Sequence, residues 1–280
     1  MIVFPNAKIN LGLDILSRRP DGYHEISTVM APVGWHDVLE VVPSRGGKTT
    51  LTVSGNTVDC PPEKNLVMKA YRAMAELAEG LPAVDIYLRK IIPDGAGLGG
   101  GSADAAFTIR ALNTLFSLDF PDEKLAEVAT SIGADCPFFI YNKPMMATGI
   151  GTDLAPAVLP SDIYRMKLAI VKPPVGVSTA RAYAGVSPAR PAVELADAIS
   201  RPFSEWNGTV KNDFEKSVFA AAPEIEAVKR GMADMGAVYV SMSGSGSAVY
   251  AFFASDILAE TLRDRFQHCS VCLTSIIQGK

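Results

Sequence analysis

Cysteine is scarce. Four thiols, Cys60, Cys136, Cys269 and Cys272, are scattered through 280 residues, too few and too irregular for a disulfide framework. A surplus of positive charge is missing too: 26 Lys and Arg stand against 30 Asp and Glu, a net charge of −4. The basic residues form no stripe, which argues against a general nucleic-acid binder or a protein held to anionic lipid. No uncharged apolar run approaches the roughly 20 residues that span a bilayer. The segment Met1-Ile-Val-Phe-Pro-Asn-Ala-Lys8 has no basic stretch leading into an apolar one and a small-residue cleavage site. No signal peptide is expected, and the cytoplasm is the expected compartment. Internal repeats and low-complexity tracts are absent. What remains is ordinary globular material, 48% hydrophobic and 20% charged, of a length that suits one domain or two.

The first 55 residues alternate or are rich in β-branched side chains, which predicts strands over 9–16, 25–30, 37–42 and 50–53. Asn65 opens a helix in which Leu66, Ala70, Ala73, Leu77 and Ala78 recur at helical spacing. A strand over 84–88 runs into a glycine-rich loop, and beyond it Ala105, Ile109, Leu112 and Phe116 mark an apolar helix face that Ser102 is suited to cap. A helix follows over 123–132. After Pro156 to Pro160 come a strand over 167–171, helices around 192–200, 211–221 and 224–235, strands over 238–241 and 248–253, a helix over 256–266 and a last strand over 271–277. Strands and helices do not alternate regularly, so the expected class is α+β rather than a doubly wound sheet. Two domains are expected, 1–158 and 159–280.

Gly95 to Gly101 holds five glycines in seven positions. Glycine weakens an element unless the backbone needs positive φ or close approach, so this density has a purpose. A strand, a glycine loop and a helix start aim several N–H groups at one point, which is an anion site suited to phosphate. Two known phosphate loops do not fit. Gly47-Lys48-Thr49 looks like the end of a P-loop, but the position that needs glycine is Val42. Gly95, Gly97 and Gly100 match a dinucleotide fingerprint, but Asp119 falls in a loop between helices rather than at the end of a second parallel strand.

A third pattern does fit. Pro93-Asp-Gly-Ala-Gly-Leu-Gly-Gly-Gly-Ser102 resembles the central motif of the GHMP kinases, which include galactokinase, homoserine kinase and mevalonate kinase. The long Gly99-Gly100-Gly101 run resembles the branch acting on 4-diphosphocytidyl-2-C-methyl-D-erythritol. Pro5-Asn-Ala-Lys-Ile-Asn-Leu-Gly12, Arg19-Pro-Asp-Gly-Tyr-His24, Gly133-Ala-Asp-Cys-Pro137 and Ser243-Gly-Ser-Gly-Ser247 are similar to that branch's other signatures, in family order. The resemblance therefore covers nearly the whole chain. It implies a two-domain fold with the site in a cleft, ATP as phosphoryl donor, and Mg²⁺ carried mainly by phosphate oxygens and water with no protein ligand named.

The resemblance makes Lys8 and Asp135 the catalytic pair. An alcohol is a poor nucleophile at neutral pH; a carboxylate can take its proton, and an ammonium nearby offsets developing charge. ATP is assigned to Asn65, Pro93, Asp94, Gly95, Ala96, Gly97, Leu98, Gly99, Gly100, Gly101, Ser102 and Ala103, completed by Ser243, Gly244, Ser245 and Gly246. Asn65 reads equally well as a helix N-cap. Tyr23, His24 and Tyr183 fall where the family holds cytosine, two π-faces and an imidazole being apt for a pyrimidine. Asn10 and Thr179 match positions near the methylerythritol hydroxyls. Thr152 stands where an acid is common, and Ala103 replaces a frequent Ser. Cys269-x-x-Cys272 beside His268 reads as small thiols on a strand rather than a metal or redox site, and His36, Met145 and Met146 read as structural. Two rivals stay open: a GHMP kinase for homoserine or a mevalonate-type alcohol, and a non-catalytic GHMP-fold binding protein.

Overall fold

The computed structural model describes residues 1–57 and 60–279. Extended chain comes first: β1 (Ile2–Val3), β2 (Asn6–Arg18), β3 (His24–His36), β4 (Val38–Pro43) and β5 (Thr50–Gly55). Then come α1 (Leu66–Leu77), β6 (Val84–Lys90), α2 (Gly100–Leu115), α3 (Asp122–Thr130) and α4 (Cys136–Tyr141). A hairpin of β7 (Met145–Thr148) and β8 (Asp153–Pro156) leads to β9 (Lys167–Lys172), α5 (Thr179–Ala184) and α6 (Leu195–Ser200). The rest is α7 (Glu215–Ala221), α8 (Pro223–Asp234), β10 (Tyr239–Met242), β11 (Val249–Phe253), α9 (Ala259–Arg265) and β12 (Ser270–Thr274). Among the described residues no helix is long and apolar enough to cross a membrane.

The strands form sheets ordered β1-β4-β6-β5, β2-β3-β7-β8 and β10-β11-β9-β12. β1 on β4, β4 on β6, β3 on β7, β7 on β8, β10 on β11, and β11 and β12 on β9 pair antiparallel, while β5 lies parallel to β6. This is the expected α+β texture. By contacts the chain forms two compact, interleaved units. One holds Met1–Ala7, Trp35–Asp94 and Gly99–Asn142; the other holds Lys8–Gly34, Gly95–Leu98 and the chain from Lys143 onward. The contact units therefore differ from the halves 1–158 and 159–280. Residues 8–34 and 143–158 carry most of β2, β3, β7 and β8, which share one sheet, and they count with the second unit, as does the loop 95–98.

The first unit contains the β1-β4-β6-β5 sheet and α1 to α4. Along β6 the strand period buries Val84, Ile86, Leu88 and also Lys90, while Tyr87 and Arg89 point outward. Helix α1 buries Val67, Ala70 and Met74 and packs on α2, which buries a small-residue face of Ala103, Ala105, Ala106, Ala111, Ile109 and Leu112. In the second unit, Leu13 and Ile15 of β2 and Ile26 of β3 share an apolar cluster with Val171, Ala251, Phe253, Ile225 and Leu262.

One cap differs from expectation. Helix α2 begins at Gly100 with Gly99 at the N-cap in the left-handed region (φ 70°) and no side-chain cap, so Ser102 lies inside the first turn. Positive φ at the cap is open to glycine at little cost, and the helix starts as soon as the glycine run allows. The six-residue helices α4 and α5 were not anticipated, since one and a half turns carry no readable apolar period.

Candidate active site

The glycine loop, of which residues 95–98 count with the second unit, is built as a backbone cradle. Gly95, Gly97 and Gly99 have φ of 59°, 75° and 70°, while Ala96 and Leu98 between them do not enter positive φ. Alternating handedness turns successive N–H groups to one side, the geometry of an anion nest. The Ser243–Gly246 motif backs this loop at close quarters. The Ser243 hydroxyl donates to Gly97 O at 2.8 Å, and Ala248 N donates to Ala96 O at 3.0 Å. A Cβ on Gly97 would sit 2.1 Å from the Ser243 carbonyl oxygen, so only glycine fits.

Lys8 joins the same network. Its backbone N–H donates to Leu98 O at 2.9 Å, and the residue is 4% exposed, with its ammonium donating to Asn10 Oδ1 at 2.6 Å. Asn10 is held from every side: its amide donates to Thr28 Oγ1 (3.0 Å), its N–H donates to Ser243 Oγ (3.2 Å), and its carbonyl accepts from the Tyr250 hydroxyl (2.8 Å). With its oxygen on Lys8 and its amide on Thr28, Asn10 orients the ammonium, and buried polar groups are satisfied as their burial demands. Thr179, exposed at the start of α5, has its hydroxyl 3.2 Å from that of Ser245.

The aromatic trio is also in this unit. The Pro20-Asp-Gly turn is closed by Arg19 N–H donating to Tyr23 O at 2.8 Å, and Asp21 Oδ1 accepts from Tyr23 N–H at 3.1 Å. Tyr23 is 61% exposed. His24 stacks on Tyr183 with centroids 4.7 Å apart and planes at 19°, and Phe214 meets Tyr183 edge-on at 4.8 Å. The structure thus brings His24 and Tyr183 together directly, with the imidazole on one face of the phenol ring.

In the first unit Asn65 caps α1, its Oδ1 accepting from Val67 N–H at 2.9 Å. Pro93 is buried and Asp94 exposed. Asp135 is half-buried at the N-cap position of α4 and makes no side-chain cap bond there. Beside it, burial pushes the Cys136 thiol up to about 11, against a hydrogen bond with Ser102, so this sulfur stays protonated. Burial likewise pushes Cys272 up to about 11. Among the described residues no group of three or more His, Cys, Asp or Glu could hold a metal.

Sequence reasoning missed a buried triad in the first unit. Lys90 donates to Asp37 Oδ2 and, at 2.6 Å, to Asp104 Oδ2. Asp37 Oδ1 accepts from the backbone N–H groups of Ile91 and Ile92. The signal was present: Lys90 occupies a core-facing position in β6, and Asp104 interrupts the alanine face of α2.

Comparison with known proteins agrees with this geometry. Residues 65–143 match the GHMP kinases N terminal domain and residues 192–270 the GHMP kinases C terminal domain. A 4-diphosphocytidyl-2-C-methyl-D-erythritol kinase of Parabacteroides distasonis is 50% identical over 90% of this chain and 92% of its own. That of Cytophaga hutchinsonii is 39% identical over 99% of this chain and 100% of its own. The crystal structure of a 4-(cytidine 5'-diphospho)-2C-methyl-D-erythritol kinase superposes with a TM-score of 0.83 at 32% identity, covering both chains completely. A homoserine kinase from Cytophaga hutchinsonii, at 19% identity over 98% of this chain and 95% of its own, shares the fold with a TM-score of 0.74. With both halves of the family pattern matched and relatives this similar along almost all of its length, the chain belongs to the GHMP kinase family of ATP-dependent kinases, beside the 4-diphosphocytidyl-2-C-methyl-D-erythritol kinases.

Proposed function

We propose that this protein transfers the γ-phosphoryl group of ATP to the 2-hydroxyl of 4-diphosphocytidyl-2-C-methyl-D-erythritol, giving the 2-phosphate and ADP on the non-mevalonate route to isoprenoid precursors. The observation that carries the reading is the likeness to kinases named for this substrate, at 39–50% identity over 90% or more of the chain. The phosphate nest and the His24–Tyr183 pair supply chemistry suited to it. Asp135 takes the proton of the attacking hydroxyl. Lys8, aimed by Asn10, offsets charge on the attacking oxygen and the transferring group. Positioning and electrostatics are most of what phosphoryl transfer asks of a protein.

ATP phosphates lie on Gly95–Ser102, closed by Ser243–Gly246, with Asn65 toward adenine. Magnesium enters as part of the nucleotide substrate, held mainly by phosphate oxygens and water. Cytosine is read by His24 and flanked by Tyr23 and Tyr183, while Thr179 lies toward the erythritol hydroxyls. Because His24 already covers one face of Tyr183, a base sandwiched on that face must part the two rings. The cytoplasm is the proposed compartment, and residues 1–158 the nucleotide-binding domain.

The test offers purified protein MgATP with the cytidylyl substrate, mevalonate or homoserine in separate assays, beside Asp135→Asn. Turnover with the cytidylyl alcohol alone, reduced by about 100-fold or more in the variant, is the expected result. Turnover with another alcohol would discard the pocket assignment, and ATP binding without turnover would leave a non-catalytic protein.

A further inference from the structure

The chain just before the glycine loop and the helix just after it are tied together by three buried charged side chains. Asp37 lies between β3 and β4, Lys90 ends β6, and Asp104 sits in the second turn of α2. Their exposures are 0%, 5% and 2%. Asp37 fixes the backbone of Ile91 and Ile92, immediately before Pro93, through its Oδ1. Lys90 bridges from there to Asp104 on the far side of the loop. A Cβ on Gly100 would lie 3.1 Å from Ile92 Cγ2 and 3.3 Å from the Lys90 ammonium, so this glycine lets α2 begin directly over the cation.

Isolated buried ion pairs add little net stability, because desolvation offsets their attraction. A two-carboxylate, one-ammonium cluster fully inside a core points to a role beyond stability. We propose that Asp37, Lys90 and Asp104 are positioning residues for ATP: one buried anchor sets the span between the strand end and the helix start, and hence the spacing of the phosphate-binding N–H groups. This rests on the assignment of that loop to ATP.

The surroundings of the anchor also favour a protonated Asp104. With both carboxylates ionised it would carry one net negative charge at the chain positions from which the glycine loop departs and to which it returns. Burial, reinforced by Asp37 and opposed by Lys90, pushes Asp104 up to about 8. Burial works against the charge on Lys90, but Asp104 and Asp37 outweigh it and its pKa is raised. Asp104 Oδ1 has no hydrogen-bond partner, as suits a carboxyl group that is not fully ionised. The faces that α1, α3 and α4 bury are uncharged, with Cys136 their one titratable group, and β4 buries only Leu39 and Val41.

Equilibrium titration with ATP, run beside KM for each substrate, tests the anchor in two variants. Lys90→Met/Asp104→Asn removes cation and partner together and leaves Asp37 on its two backbone donors. If folded by circular dichroism, it should bind ATP about tenfold or more weakly, with KM for the alcohol within about twofold. A folded variant with undiminished ATP affinity and merely a lower Tm overturns the proposal. Should that variant not fold, Asp104→Asn decides by its pH profile. Wild-type KM for ATP should climb from about pH 7 to about pH 9 as the anchor gains charge, while the Asn variant stays flat; parallel profiles overturn the proposal. Wild-type protein that binds ATP but phosphorylates no cytidylyl alcohol sinks the proposed substrate and leaves the anchor test standing. Wild-type protein that does not bind ATP overturns both.

Discussion

Asp14 lies on β2, 3% exposed, with Asp213, Glu194 and Lys211 around it. Burial, then repulsion from Asp213, pushes its carboxyl up to about 6, with Lys211 opposing. A raised acid contributes most to stability below its unfolded pKa, about 4, and that contribution is lost as pH rises through its folded value. Asp14→Asn should therefore be near neutral at about pH 4 and stabilising at about pH 8, by on the order of 1–3 kcal/mol. Urea unfolding of both proteins at the two pH values measures this, and a difference independent of pH would rule it out. Lys8 and Asp104 show how unevenly residue roles can be read. Lys8 stands inside a recognisable signature, whereas Asp104 means little until Lys90 and Asp37 are seen beside it.

Helix α1 poses a choice that one element can settle. Asn65 is its N-cap, and loss of such a cap costs about 1 kcal/mol. Asn65→Ala should lower stability by that amount. Asn65→Asp keeps a capping oxygen and should hold Tm, yet lose ATP affinity severalfold because the amide is gone. An Asp variant with native ATP affinity would leave Asn65 a cap alone. Elements with a long apolar period, such as α1, α2 and α8, were legible in the sequence, as were β2, β3 and β9. Where they ended was less so, because glycine φ and not a capping side chain starts α2. The nest was legible as glycine density, but its backing by Ser243 was visible only through resemblance, since 146 residues separate Ser243 from Gly97, and the bond from Ala248 was not visible at all. The Asp37–Lys90 link spans 53 residues, and its local sign is confined to a lysine at a core-facing position of β6, which does not name its partner.

Across the whole molecule the two units exchange chain after residues 7, 34, 94, 98 and 142. The cluster beneath β9 and β11 draws Leu13, Ile15 and Ile26 from the first thirty residues. A fragment of residues 159–280 lacks those side chains and should expose the apolar surface they cover. It should bind a hydrophobic dye and show weak near-ultraviolet dichroism unless residues 1–158 are co-expressed; a monomeric fragment with a sharp thermal transition would argue against this. The bond from Ser243 to Gly97 also bears on synthesis. The loop proposed to receive ATP is made a third of the way along the chain, but the residues that brace it come near the end. On the proposed assignment, a nascent chain, or one released early by a stalled ribosome, has an unbraced loop and should draw no nucleotide from the cell, so that competence to bind would arrive only with a nearly finished protein.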